Sequence, residues 1–479
     1  MNKSIIRFIL CKVLQFEGIF LMLPFVVSLF YGEKEGFTYL FTGVLTLLLG
    51  TLGSLFKPKS KVFYAREGYV TVSLAWILLS AVGAFPFFFT KEIPSYIDAF
   101  FETASGFSTT GATILTDVET LSRTSMFFRC FTNWIGGMGV LVFIMAVIPL
   151  SGSANMHLMR AETPGADVVK LVPKVKNNAT ILYGMYIVLT VILFFAYLIA
   201  GVGVYDSFIL SFSTMGTGGF SRLNNSIAGY SLSVRIITAI FMLLSGINFN
   251  AYFLLLSRRI KDFFRIEEIR YYFYMIIVST VIISLQLRSI YPTFKECVSK
   301  SLIQVISVVS TTGYAAADFD TWPMLSKTII MILIVVGGCA GATACGIKIS
   351  RVIILSRTLN RELSHLTHPR SIRKVKLDSK SVGEDTIKNV SSFIFAYLLL
   401  VIASTLLISI NGFDFTTTFT SVITSVGNVG PGLSMVGPMG NYSEFSAFSK
   451  LVLSFDMLAG RLEIFPMLVL FYPGAWKRS

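Results

Sequence analysis

Apolar positions run through this chain in long blocks separated by short polar stretches. The run from Phe8, "FILCKVLQFEGIFLMLPFVVSLFY", and the next from Phe37, "FTYLFTGVLTLLLGTLGSLF", are almost uninterrupted. A helix crossing a hydrocarbon core needs roughly 20 mostly apolar residues, so each run predicts a membrane span. The first is too long, and too soon followed by the second, to be a cleaved signal peptide. Beyond them a unit recurs: a long apolar helix, a shorter half-polar segment, a Ser/Thr/Gly turn and another long apolar helix. In the first unit these are the run from Gly68, "YIDAFFETASGFSTTGAT" from Tyr96, and Phe127 to Leu150. The second has Ile181 to Ala200, "YDSFILSFSTMGTGGFS" from Tyr205, and Val234 to Leu256. The third has Tyr271 to Leu287, "KSLIQVISVVSTTGYA" from Lys300, and Met324 to Leu355; the fourth has Phe393 to Ile410, "FDFTTTFTSVITSVGNVGPG" from Phe413, and Phe448 to Phe471.

Repetition at this scale is sought before any local motif is believed. The predicted architecture is an all-α polytopic membrane protein: a two-helix N-terminal domain over 1–66, then helix/pore-loop/helix repeats over 67–176, 177–265, 266–380 and 381–479. The repeats are expected around a pseudo-fourfold central pore. The middle segments are about a dozen residues, too short to span a bilayer, and read as re-entrant half-helices. Backbone that leaves helix at membrane depth is tolerated only where protein buries it or it lines a water-filled cavity. Four such turns imply one shared cavity.

Composition agrees: 54% of the 479 residues are hydrophobic and only 14% charged. The formal charge of +14 would suggest nucleic acid, but its placement removes the need for that reading. Lys57, Lys59, Lys61 and Arg66 share one loop, Arg160, Lys170, Lys174 and Lys176 another, and Arg258, Arg259, Lys261, Arg265 and Arg270 a third. The segment from Arg351 to Asp385 is also basic, whereas intervening loops hold Glu33, Glu92, Asp117, Asp318 and Glu444. That alternation is the positive-inside pattern and puts both termini in the cytoplasm. The five cysteines lack metal-ligand spacing. His365 and His368 could share a helix face, with no acidic or cysteine partner nearby to complete a metal site. No nucleophile and base constellation appears, which argues against an enzyme.

Aligned by spacing, the turns are Thr109-Thr110-Gly111, Gly216-Thr217-Gly218, Thr311-Thr312-Gly313 and Asn428-Val429-Gly430. The second rests on Phe101 to Gly111 and Phe208 to Gly218 covering the same span, each with Phe-Ser-Thr inside it. Glycine permits positive φ, so neighbouring carbonyls can be aimed at one axis, and threonine adds a hydroxyl oxygen. Rings of inward carbonyls can replace the hydration shell of a monovalent cation, with each half-helix directing its negative C-terminal end toward the ion. A lone Ser/Thr/Gly turn is ordinarily just a loop; four copies in this context point to a filter. Asp98, Asp206 and Asp414 begin three half-helices, where capping is the ordinary role and cation attraction a second use.

With "NWIGGMG" from Asn133, "RAETPG" from Arg160, "GGCAGATACGIK" from Gly337 and "GRLEIFP" from Gly460, essentially the whole chain resembles the membrane subunits of the bacterial Trk potassium-uptake family, in the Trk/Ktr/HKT superfamily. The resemblance implies that the twelve turn residues form a potassium filter, with potassium as substrate and no cofactor on this chain. In the plant branch a serine at the first filter glycine goes with sodium preference; glycine at Gly111, Gly218, Gly313 and Gly430 implies potassium. It further implies a homodimer in the bacterial inner membrane, controlled by a cytosolic ring of nucleotide-binding domains of the TrkA type that senses NAD, ATP or ADP. The basic loops around Arg160, Arg258 and Arg370 would be its docking surface, although membrane topology alone also explains them.

The glycine-dense segment Gly337 to Gly346 should unwind the second helix of the third unit, since each interior glycine costs about 1 kcal/mol relative to alanine. It is not a phosphate loop, because Gly346-Ile347-Lys348 lacks the Gly-Lys-Ser/Thr ending. Close helix packing is one reading. The resemblance favours an intramembrane gate using Gly337, Gly338, Gly341, Gly346 and Lys348, in which Ala344 and Cys345 stand where the family commonly has more glycine. Arg461, inside the last apolar span, should face the bundle interior. By resemblance it is an electrostatic barrier near the gate; an ion pair with Glu463 or a bond to a gate-loop carbonyl is the structural alternative. The expected activity is gated, passive potassium uptake. Proton or sodium symport is the alternative class, for which Glu17, Glu102 and Glu463 are the carboxylate candidates.

Overall fold

The computed structural model describes residues 1–58, 63–139, 175–371 and 373–476. "RAETPG" from Arg160, and Lys59, Lys61, His157, Lys170 and Lys174, lie outside the described residues. The chain is helical nearly throughout, with a single short hairpin, β1 (Lys376–Leu377) and β2 (Lys380–Ser381), among the described residues.

The N-terminal pair, α1 (Lys3–Tyr31) and α2 (Glu35–Leu55), forms an antiparallel hairpin. Its turn is set by Gly32 at φ 70°, whose N–H returns to the Ser28 carbonyl. The helices touch through glycine: a Cβ on Gly18 would lie 2.7 Å from the Gly43 carbonyl oxygen, and one on Gly50 the same distance from that of Cys11. Such close contact through small residues is how membrane helices associate where lipid removes the hydrophobic drive. The outer face of α2 leaves Phe37, Phe41, Leu45, Leu48 and Leu52 exposed, as a lipid-facing surface should.

Next come α3 (Ala65–Phe89), the short α4 (Tyr96–Phe107) and α5 (Arg123–Met138). They are followed by α6 (Val175–Ile199), α7 (Val204–Met215), α8 (Leu232–Ser245), α9 (Phe249–Leu256) and α10 (Ile260–Arg265). The third group is α11 (Glu267–Gln286), α12 (Phe294–Val309), α13 (Met324–Val336) and α14 (Ile349–Thr367). The fourth is α15 (Glu384–Ile408), α16 (Phe415–Gly427), α17 (Ala447–Arg461), α18 (Phe465–Val469) and α19 (Pro473–Trp476). Six described helices, α1, α2, α3, α6, α11 and α15, are long and apolar enough to cross a membrane. The short helices α4, α7, α12 and α16 contain 12, 12, 16 and 13 residues.

The second helix of the third unit breaks at Gly337, as its glycines foretold, but those of units two and four are also broken. Val234 to Leu256 is interrupted between α8 and α9, and Phe448 to Phe471 at Leu462 to Ile464. Both were expected to be continuous. The cause is tertiary. Gly246 turns its carbonyl to the Cys339 N–H at 3.1 Å, while Glu463 and Ile464 take φ of 56° and 66°. Near the ends of α5, α13 and α17, glycines press on carbonyls at half-helix ends: built Cβ atoms on Gly136, Gly338 and Gly460 would stand 1.9 Å from the Phe107 oxygen, 3.3 Å from that of Val309 and 2.1 Å from that of Val426.

A ring of four turns above a glycine loop

All four half-helices end in the same way. Thr109, Thr217, Thr311 and Asn428 adopt left-handed φ of 58°, 54°, 54° and 51°. The following N–H groups, of Thr110, Gly218, Thr312 and Val429, return to the carbonyls of Ser105, Ser213, Ser307 and Thr424 at 2.9, 2.9, 2.9 and 3.0 Å. With the bonds that close three-residue steps, from Thr109 to Gly106, Thr217 to Thr214, Thr311 to Val308 and Asn428 to Ser425, this is Schellman closure. The left-handed position usually belongs to glycine. A β-branched residue there is an outlier, and such strain costs of order 1–3 kcal/mol per residue.

Two residues beyond each left-handed position, Gly111, Gly219, Gly313 and Gly430 have φ of 79°, 69°, 79° and 86°. The second turn is therefore Thr217-Gly218-Gly219, and the alignment Gly216-Thr217-Gly218 is one residue early. Gly216 caps α7 as Ser108 caps α4 and Ser310 caps α12. Glycine still occupies all four third positions.

These glycines close the turns into a ring. A Cβ on Gly111 would lie 2.2 Å from the Gly218 oxygen, on Gly219 2.1 Å from Thr312, on Gly313 1.9 Å from Val429, and on Gly430 2.6 Å from Thr110. Each turn thus meets a carbonyl of the next, and the fourth returns to the first. Any side chain at these positions must drive a ring carbonyl aside.

The ring is fastened from behind by buried polar groups. Glu102 accepts the Ile114 N–H and the Thr113 hydroxyl at 3.0 Å and pairs with Arg129 at 2.6 Å; Arg129 also lies 3.5 Å over the Phe220 ring. Gln304 accepts the Ala316 N–H at 3.1 Å, and Thr420 that of Leu433 at 3.1 Å. Asn428 donates to the Thr110 hydroxyl at 2.9 Å and to the Met457 carbonyl at 2.8 Å, joining the fourth turn to the first. Where Thr110 and Thr312 carry side chains, Gly218 has none, and Asn133 of α5 fills that space and donates to Ser213 at 3.0 Å.

The half-helix starts differ from expectation. Only Asp414 is an N-cap: hydrogen bonds from the Thr417 hydroxyl and N–H hold its carboxyl below the usual range. Ser95 caps α4 and Gly203 precedes α7. Asp98 and Asp206 sit in the first turn and pair with Lys450 at 2.7 Å and Arg222 at 3.1 Å, cations that sequence spacing did not reveal.

On the side of the ring toward the helix breaks, Gly337 to Lys348 form a loop whose base is pinned by Ile347 to Val335 and Lys348 to Val336, at 3.0 and 2.7 Å. Left-handed φ at Gly337, Gly341, Gly346 and Lys348 lets it fold back on itself; Gly338 is not among these and packs near Ala344. Ala344 and Cys345 are buried, and the Cys345 N–H donates to the Thr311 hydroxyl at 2.9 Å, so the loop touches the ring. Arg461 bridges the same space. It donates to the Thr343 carbonyl at 2.7 Å, to Gly136 and Gly137 carbonyls at 2.6 Å each, and reaches Cys345 Sγ at 3.1 Å and Thr109 Oγ1 at 3.4 Å. Of the two structural alternatives, the bond to a gate-loop carbonyl is present and the pairing with Glu463 is not. Glu463 pairs with Arg351 at 2.6 Å and with Lys348 at 3.4 Å, and among the described residues no carboxylate pairs with Arg461.

Two carboxylates escaped the sequence reading. Glu268, in the first turn of α11, accepts the N–H groups of Ala340 at 2.7 Å and Ser350 at 3.2 Å and so ties the glycine loop to the start of α14. Its spacing with the buried Tyr272, Ile276 and Ile283 was the available signal. Asp456 is fully buried on α17 and accepts from Ser404 at 2.8 Å. Of the earlier candidates, Glu102 is committed to Arg129, and Glu17 is buried on α1, which packs on α2, α3 and α5.

Membrane-spanning helices around a ring of glycine turns, with polar backbone inside and apolar side chains outside, define a multi-pass membrane transport protein. Residues 36–477 match the family model described as TrkH, cation transport protein, and the chain belongs to that family. It is 35% identical over 486 aligned residues to the Trk system potassium uptake protein TrkH of Escherichia coli K12, covering 99% of each chain. It is 32% identical over 487 residues to TrkG of the same organism, covering 100% of each. The crystal structure of the potassium transporter TrkH from Vibrio parahaemolyticus matches with a TM-score of 0.88 at 29% identity, covering 99% of each chain.

Proposed function

We propose that this protein takes up potassium across the bacterial cytoplasmic membrane through the ring of turns, by gated passive flux. The filter comprises Thr109, Thr110, Gly111, Thr217, Gly218, Gly219, Thr311, Thr312, Gly313, Asn428, Val429 and Gly430. The observation that carries the reading is the closed ring, in which four turns meet one another through backbone carbonyls and the first three carry threonine. Such preformed oxygen sites replace cation hydration. The loop from Gly337 to Lys348 acts as the gate and Arg461 as an electrostatic barrier beside it, a role supported by its contacts to both loop and ring. The chain divides into the N-terminal pair and four repeats, with both termini in the cytoplasm. It works as a homodimer under a cytosolic nucleotide-binding ring that docks on basic loops, including Arg258 and Arg370. Charge reversal at those two arginines that left regulation intact would remove them from the docking surface.

The test is rubidium and sodium flux in proteoliposomes, with membrane potential and pH gradient clamped separately. Uptake following only the rubidium gradient and potential, with discrimination lost in Gly111→Ser, is expected. Uptake that requires a proton or sodium gradient would replace the passive pore by a coupled transporter, with Asp456 and Glu463 the next residues to test.

A further inference from the structure

The end of α11 at which Glu267 stands presents two adjoining clefts. One, of about 530 Å³, is lined by Glu267, Arg270, Tyr271, Tyr274 and Arg357. The other, of about 390 Å³, shares Glu267 and Arg357 and adds Arg361, Arg373, Lys374 and Lys376 among its walls. Arg357 is paired with Glu267 at 2.7 Å and Arg361 with Glu384 at 2.6 Å. Among the described residues no ion pair engages Arg270, Arg373, Lys374 or Lys376. The clefts therefore hold uncompensated positive charge beside neutral donors, Asn360 and Ser379.

What lies next to that charge decides its ligand. Tyr271 and Tyr274 are 48% and 65% exposed, and they begin a row on α11 that continues through Ile277, Val281 and Leu285, all more than half exposed. The opposite face, with Tyr272, Ile276, Ser279 and Ile283, is buried in the protein. Steps of three and four residues keep the exposed row on one side of the helix. From Tyr271 to Leu285 it is about 21 Å long at 1.5 Å per residue, more than one leaflet of a hydrocarbon core of roughly 30 Å. Tyrosines mark the membrane boundary in such helices. A soluble anion would use the cations alone, whereas this site joins cations to an acyl-length apolar track through two interfacial tyrosines.

We propose that these clefts bind the phosphate headgroup of an anionic phospholipid whose acyl chains lie along the exposed row of α11. Arg270, Arg373 and Lys374 meet the phosphate, and Tyr271 and Tyr274 flank the glycerol region. The site is separate from the ring and goes beyond the transport reading. It adjoins the Glu268 clasp on the glycine loop through the neighbouring Glu267.

The full-length protein would be equilibrated with mixed phosphatidylglycerol and phosphatidylcholine vesicles, extracted in detergent, and the retained lipid counted by native mass spectrometry. At least one phosphatidylglycerol per chain, preferred at least fivefold over phosphatidylcholine, is expected in the wild type. It should be lost in the triple variant Arg270→Gln, Arg373→Gln, Lys374→Gln, reduced in Tyr274→Ala, and kept in Lys57→Gln. Equal retention of the two lipids, or undiminished retention in the triple variant, overturns the proposal. Displacement by millimolar inorganic phosphate would make the clefts a free-anion site, and loss of oligomer mass with lipid retained would make them a surface for a second copy; either result also overturns it. If the triple variant fails to fold, lipid preference and phosphate competition in the wild type decide the question.

Discussion

Replacing Gly219 should damage cation discrimination far more than replacing its neighbour Gly218. At Gly219 an alanine must hold φ near 69°, which costs an L-residue roughly 1–2 kcal/mol. Its Cβ would also start 2.1 Å from the Thr312 carbonyl oxygen, so that ring oxygen must move by more than an ångström. A loss of about 1.4 kcal/mol in ion binding at the displaced oxygen lowers relative affinity about tenfold, the least change expected in the rubidium-to-sodium ratio. Gly218 has no left-handed φ, and its Cβ would meet the Asn133 side chain at 2.1 Å. A side chain can yield, at the cost of the bond to Ser213, about 1 kcal/mol, with discrimination kept within a few-fold. Proteoliposome flux of rubidium and sodium, for Gly219→Ala and Gly218→Ala side by side, distinguishes the two positions. Collapse of discrimination in Gly218→Ala with Gly219→Ala unaffected would refute the assigned turn.

Three further outcomes are expected. Arg461→Gln should raise rubidium flux while lowering the melting temperature, because carbonyls of Gly136, Gly137 and Thr343 lose their donor at about 1–3 kcal/mol per orphaned group; unchanged flux counts against the barrier role. Glu268→Ala should speed labelling of Cys345 by a small methanethiosulfonate, followed by mass spectrometry, since the loop loses its tie from Ala340 to the start of α14; an unaltered rate counts against the clasp. Glu102→Gln breaks a buried pair and should cost about 3–5 kcal/mol of stability, with partial recovery in the double variant with Arg129→Met. A selective change in the pH profile of flux, without loss of thermal stability, would instead place Glu102 in coupling.

The repeating architecture was legible because each half-helix is short, half-polar and followed by glycine, features that survive without tertiary information. The second turn misled because Gly216, Gly218 and Gly219 crowd together, and only the hydrogen bond from Gly218 to Ser213 fixes where α7 stops. The break at Leu462 to Ile464 had no glycine or proline inside it to announce it; positive φ at Glu463 and Ile464 is imposed by surrounding structure. Asp98 and Asp206 looked like caps because their partners, Lys450 and Arg222, are found only after folding. Apolar periodicity placed the spans well and was blind to interruptions within them, since a broken apolar helix remains apolar.

The fourth turn spells its strained position Asn428 and follows it with Val429, where the first and third have paired threonines. A pore assembled from identical subunits cannot do this: one codon change there alters every quadrant at once. In a single chain each quadrant is inherited separately, so one wall can be retuned while the other three stay as they were. Asn428 shows the use of that freedom, because its amide reaches both Thr110 of the neighbouring quadrant and the Met457 carbonyl, a link a threonine hydroxyl at that place is too short to make to both. The ring of this protein can therefore drift one side at a time.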